Sequence, residues 1–73
     1  MKISVEVQRD TKPPLKGEAS VTDALDYCTA FLKLHKGEDA FMLSEDFLIC
    51  REVLNKTLGK DEVQNLFSLI YAN

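Results

Sequence analysis

The sequence predicts an α+β fold, in which an N-terminal β-strand or hairpin is followed by three amphipathic helices packed in one small core. Three observations predict it. Residues 2–9 alternate between apolar and polar side chains, which is the period of a half-buried strand. Three later segments carry apolar residues at helical spacing. Gly37 and Gly59 follow the first two of these segments, at positions where glycine commonly ends a helix. With 73 residues in all, we expect a single domain spanning 1–73.

The N-terminal strand places Ile3, Val5 and Val7 on one face. The Pro13-Pro14 pair that follows removes two backbone donors and fixes two φ angles, so residues 1–20 are predicted to form a strand and a proline-containing loop. An unpaired strand leaves backbone N–H and C=O groups without partners. It could pair with residues 15–20, with residues 40–43, or with a second copy or another chain. Because so small a core gains from a partner, we expect self-association, as a dimer, or a stable complex.

The three helices are predicted at 21–36, 45–58 and 61–72. Ser20 and Thr22 are both candidate N-caps for the first helix, and Ser44 is the candidate for the second. The acidic pairs Glu45-Asp46 and Asp61-Glu62 open the second and third helices, where carboxylates face the positive end of the helix dipole. The predicted core-facing residues are Val21, Ala24, Leu25, Cys28, Phe31, Leu32, His35, Phe47, Ile49, Cys50, Val53, Leu54, Leu58, Val63, Leu66, Phe67 and Ile70.

Few side chains suggest catalysis or metal binding. His35 is the only histidine; it lies in the last turn of the first helix, and we expect a packing or helix-terminal role. The spacing of Cys28 and Cys50 matches no zinc site, so both are expected to be free thiols that pack as small hydrophobic residues. The calcium-loop pattern is missing from the acidic segments. We therefore expect no catalytic residue, no cofactor and no metal.

One acidic pair is not explained by a helix start. Glu38 and Asp39 follow a glycine and precede the apolar residues Phe41 and Met42. Methionine and aromatic side chains suit protein contacts, and Leu69 flanks the apolar stripe of the third helix. The sequence thus predicts a partner-binding surface formed by Glu38, Asp39, Phe41, Met42 and Leu69. The alternative is that the apolar members of this set fill the core.

Charge and hydropathy limit the classes of partner. The formal net charge is −3, and residues 18–50 carry seven acidic but only two basic groups. Phosphate backbones are bound by clustered Lys and Arg, so this pattern argues against nucleic acid. No apolar run approaches the roughly 18 residues of a membrane span, and the N-terminus lacks the apolar core of a signal peptide. We expect no membrane contact and a cytoplasmic location.

The function predicted from these features is non-enzymatic. A small acidic protein of this kind would bind another protein, or itself, as an inhibitor, adaptor or assembly factor; by size alone it resembles many phage and mobile-element products. One alternative is a nucleic-acid-binding regulator of the helix-turn-helix type formed by residues 45–72, although Asp61 and Glu62 would then face the phosphate-lined groove. Another alternative is an accessory subunit of an enzyme, with chemistry that depends on a partner chain and on His35.

Overall fold

The computed structural model describes residues 1–35 and 44–72. Their elements, in chain order, are β1 (Ile3–Val7), β2 (Leu15–Ala19), α1 (Val21–Leu34), α2 (Glu45–Leu58) and α3 (Lys60–Ala72). The predicted α+β class is confirmed. The helices agree closely with the predicted ranges: α2 matches, α3 begins one residue early, and α1 ends two residues before the predicted position 36.

The first two strands pair with each other as an antiparallel hairpin. Val5 lies opposite Gly17, and Val7 lies opposite Leu15. Of the three pairings that the sequence left open, the structure therefore has the hairpin across the proline loop. Since β2 supplies a partner strand within the chain, an unpaired strand is no longer a reason to expect a dimer, and self-association stays a prediction.

Arg9 ties the proline loop to the helical part of the molecule. Its Nε donates a hydrogen bond to the carbonyl oxygen of Pro13 at 2.9 Å, and its Nη1 lies 3.3 Å from a carboxylate oxygen of Glu45. Its side chain is only 21% exposed, so the guanidinium is partly shielded from solvent. The same residue thus closes the loop between the strands and attaches it to the start of α2.

Helix α2 is the central element: it packs against both strands and both other helices. It approaches the hairpin closely at Gly17. A Cβ atom at position 17 would lie 2.7 Å from Ile49 Cδ1 and 2.8 Å from Ile49 Cγ2. Because such distances are shorter than any normal carbon–carbon contact, a larger residue at position 17 would require Ile49 to shift.

Side-chain caps define where the helices begin. Ser20 Oγ accepts a hydrogen bond from the Asp23 amide at 3.1 Å, so Ser20 rather than Thr22 is the N-cap of α1. Ser44 Oγ accepts one from the Phe47 amide at 3.2 Å, as the sequence predicts. Each cap stabilises the fold by about 1 kcal/mol.

A single residue, Gly59, joins α2 to α3. Its φ angle is +92°, a conformation that only glycine adopts at low energy. Its N–H donates to the carbonyl oxygen of Asn55 at 3.0 Å, and its own carbonyl accepts from Val63 at 3.1 Å. The predicted helix end at Gly59 is confirmed. The end predicted at Gly37 lies outside the described residues.

The core consists of residues that the helical and strand patterns place inward. Its buried members are Val5, Ala24, Cys28, Leu32, Phe47, Val53, Leu54 and Val63. The prediction was wrong for Leu58, which is 42% exposed. Leu58 is the last residue of α2, and the chain turns at the next residue, so the final turn of this helix extends past the core.

Candidate protein-binding cleft

An open cleft of about 1050 Å³ lies between the end of β1 and helix α3. Glu6, Val7 and Gln8 form one wall. Helix α3 forms the other, where Gln64, Phe67, Ser68 and Tyr71 share one face because they are spaced three, one and three residues apart. No described residue of β2 lines the cleft.

Aromatic side chains from all three helices meet beneath the cleft. The ring centroids of Phe31 and Phe47 are 5.1 Å apart, and those of Phe47 and Phe67 are 5.8 Å apart. These separations are typical of favourable aromatic pairs. Phe47 is only 1% exposed, whereas Phe67 is half-buried and lines the cleft. The cleft therefore has an apolar floor that is continuous with the core.

The charged groups of the cleft balance one another. Glu6 and Glu52 are acidic, and Arg51 and Lys60 are basic. Uncharged polar side chains complete the rim, among them Gln8, Asn55, Gln64 and Ser68. An apolar floor within a mixed polar rim is the usual composition of a protein interface. It offers neither the basic surface that a phosphate backbone needs nor a surface of one charge sign.

No family model, curated protein or solved structure matches this chain. Within 1–35 and 44–72, none of the helices combines the length and apolar character needed to cross a membrane.

Of the partner-binding surface predicted from the sequence, the structure describes only Leu69. Leu69 is 65% exposed, but it does not line the cleft, and helical geometry turns it by well over 90° from Gln64 and Phe67. Glu38, Asp39, Phe41 and Met42 lie outside the described residues, so their surface stays a prediction.

The sequence predicts the components of the cleft but not the cleft itself. It placed Phe31, Phe47 and Phe67 on core-facing stripes, and that pattern was the available signal. The open space depends on the distance between α3 and β1. That distance follows from how α2 packs between them, and periodicity along one element carries no information about it.

His35 occupies the packing position that the sequence predicts. It is the C-cap of α1, and its N–H donates to the carbonyl oxygen of Phe31 at 3.0 Å. Its ring lies against Phe31, with centroids 4.4 Å apart. The His35 side chain therefore packs against the aromatic cluster beneath the cleft.

Both cysteines are free thiols; Cys28 is buried and Cys50 is half-buried. Burial raises the pKa of Cys28 to about 12, with a further increase from Cys50 and an opposing effect of Arg51. Burial, followed by Asp46 and Asp23, also raises the pKa of Cys50. Both groups are therefore protonated at neutral pH and pack as apolar side chains. Across the described part of the chain, no three His, Cys, Asp or Glu side chains are grouped so as to hold a metal ion.

The raised pKa of Cys28 predicts a loss of stability in alkaline solution. The thiol has a pKa of 9.0 when unperturbed and about 12 in the native state, so above pH 9 the unfolded chain loses its proton first. The free energy of unfolding should then fall by about 1.4 kcal/mol between neutral pH and about pH 10 through this group alone. Urea unfolding of the wild type and of Cys28→Ala at both pH values measures the effect, because the difference between their pH slopes reports Cys28 and its coupling to Cys50. An identical pH slope in both would contradict the assignment.

Proposed function

We propose that this chain is a non-enzymatic protein-binding module, acting as an inhibitor, adaptor or assembly factor, and that the cleft between β1 and α3 receives part of its partner. The observation that carries the proposal is the cleft itself, with the half-buried Phe67 on its floor and polar side chains around its rim. Binding sites are typically concave, with an apolar lining and a few polar groups that fix orientation.

Charge favours a protein partner over nucleic acid. The two acidic and two basic side chains in the cleft give no net attraction for a polyanion. The first turn of α3 carries Asp61 and Glu62, both exposed, which would oppose the entry of this helix into a phosphate-lined groove. A polypeptide, with its mixture of charged, polar and apolar side chains, matches the cleft better.

A pair of tryptophan substitutions on α3 tests the proposal. Ser68 is exposed and lines the cleft, so Ser68→Trp fills the cleft without removing a core contact. Asn65 is also exposed on α3 but does not line the cleft, which makes Asn65→Trp a matched control. Tagged wild type and variants are used to capture partners from cells that express the chain, and the amount of each bound protein is quantified by mass spectrometry. We expect one protein to be retained in near-stoichiometric amounts by wild type and by Asn65→Trp, and to fall by about tenfold or more with Ser68→Trp.

A third variant separates the cleft from the surface predicted by the sequence. Leu69→Ser removes an exposed apolar side chain that lies outside the cleft. If Leu69→Ser loses the partner while Ser68→Trp keeps it, the predicted surface is the binding site and the cleft is not. If no protein is retained in near-stoichiometric amounts by the wild type, the protein-binding function itself is contradicted. All variants should first show wild-type helical circular dichroism.

A further inference from the structure

We propose that helix α3 is a conformational switch, which undocks as one unit from a base formed by the hairpin, α1 and α2. This inference goes beyond the proposed function and does not rest on it. Phe67 and Ser68 of α3 line the cleft opposite Glu6 and Val7, so undocking removes one wall and the cleft exists only while α3 is docked. The ring centroids of Phe67 and Phe47 are 5.8 Å apart, so undocking also uncovers part of Phe47.

Helix α3 is the least buried of the three helices. Nine of its 13 residues are exposed, against six of 14 in α1 and five of 14 in α2. All of α3 lies in the described part of the chain, and Val63 is its one buried residue, whereas α1 and α2 have three each. Because burial of apolar surface is the main force that holds a helix in place, α3 is held less strongly than the other two.

The base is held together by contacts that do not involve α3. Helix α2 packs against α1 and against both strands, and the two strands pair with each other. The ion pair of Arg9 with Glu45 and the hydrogen bond from Lys56 to the Ser4 carbonyl also join the hairpin to α2. Of the eight buried core residues in the described chain, seven belong to the base. The base therefore keeps most of its core when α3 leaves, whereas the burial of Val63 is lost.

Gly59 marks the boundary between the two units. The Gly59 amide donates back to Asn55 in α2, and the Gly59 carbonyl accepts from Val63 in α3, so one run of helical hydrogen bonds ends where the next begins. Helix formation is cooperative within such a run. Rotation about the two backbone torsions of Gly59 changes the direction of α3 without breaking a hydrogen bond of α2, and glycine permits a wide range of these torsions.

Once undocked, α3 loses its helical hydrogen bonds. It has 13 residues, and an isolated helix of that length is marginal in water. Asp61 and Glu62 in its first turn interact favourably with the helix dipole, but its last turn carries no basic residue. The amides of α3 therefore exchange with solvent whenever the helix undocks, which makes the opening measurable.

Native-state amide hydrogen exchange tests the proposal, with Ser20→Ala as the probe. Ser20 caps α1, so its loss destabilises the docked and undocked forms equally relative to the unfolded chain, and makes global unfolding about fivefold more favourable. We expect the central amides of α1 and α2 to exchange about fivefold faster in this variant, and those of residues 66–70 in α3 to exchange at the wild-type rate.

The wild type and a control variant complete the test. In the wild type, the amides of residues 66–70 should be protected about tenfold or more weakly than the central amides of α2, and their exchange should depend less on urea. Val63→Ala is the control. It removes a contact of the docked form alone, so exchange should become faster in all three helices.

Two results would overturn the proposal. Equal acceleration of all three helices in Ser20→Ala, or equal protection and urea dependence of α3 and α2 in the wild type, would show that α3 opens only when the whole protein unfolds. Protection that falls steadily from Val63 to Ala72 would show fraying of a helix end instead of undocking of a unit. If Ser20→Ala leaves the exchange of α1 and α2 unchanged, Val5→Ala, which truncates a buried side chain of the hairpin, replaces it with the same expected and contradicting results.

Discussion

Replacing Phe47 with alanine is expected to leave most of the protein unfolded at 25 °C. Phe47 is 1% exposed, and its ring packs against Phe31 and Phe67 from the two other helices. Truncating a buried phenylalanine to alanine costs about 3–5 kcal/mol. The core of a chain this short supplies only about 3–5 kcal/mol of net stability. The substitution therefore removes most of the free energy that keeps the three helices together.

Urea unfolding monitored by circular dichroism measures the effect, and Leu69→Ala is the matched control. Leu69 is 65% exposed, so its truncation should change the free energy of unfolding by no more than about 0.5 kcal/mol. A cooperative transition for Phe47→Ala with a midpoint close to that of Leu69→Ala would show that the aromatic cluster does not hold the helices together.

The second large effect is expected at Gly17. Gly17→Ala should lower the free energy of unfolding by about 1–3 kcal/mol, the usual cost of overpacking a core. The sign of the change is informative, because alanine within a strand is otherwise more favourable than glycine by about 0.5–1 kcal/mol. The added Cβ would lie 2.7 Å from Ile49 Cδ1, so either the Ile49 side chain or α2 itself has to shift.

A double-mutant cycle with Ile49→Ala isolates the contact. Ile49→Ala removes both the Cδ1 and the Cγ2 atoms that a Cβ at position 17 would meet. In that background Gly17→Ala should be neutral or stabilising, so the two substitutions should show a coupling energy of about 1–3 kcal/mol. Additive effects, or a stabilising Gly17→Ala in the otherwise wild-type protein, would mean that α2 does not approach the hairpin this closely.

The features that the sequence predicted well are local ones. The alternation of Ile3, Val5 and Val7 can be recognised from residues that are adjacent in the sequence. The caps Ser20 and Ser44 can be recognised in the same way. A helix end at Gly59 is also a local decision, since it depends on the φ angle of one residue. For the same reason, the apolar stripes located the buried residues of all three helices, with Leu58 as the exception at a helix end.

The features that it did not settle depend on distances between elements. The second strand, Leu15–Ala19, reads Leu-Lys-Gly-Glu-Ala and contains no β-branched or aromatic residue, so its strand propensity is low. Its pairing with β1 depends on Arg9 holding the loop and on Gly17 admitting α2. The cleft is harder still to predict from sequence, because its shape depends on how both the hairpin and α3 pack against α2. Of the surface predicted from the sequence, only Leu69 lies in the described part of the chain.

The most direct test of the central claim, that the cleft beside β1 binds a protein partner, is the affinity of the captured partner for two folded variants. Isothermal titration calorimetry with the purified partner compares Ser68→Trp, which fills the cleft, with Asn65→Trp, which alters the same helix outside it. If the partner binds in the cleft, Asn65→Trp should bind it with the affinity of the wild type, and Ser68→Trp should bind it about tenfold or more weakly. Equal dissociation constants for the two variants would contradict it.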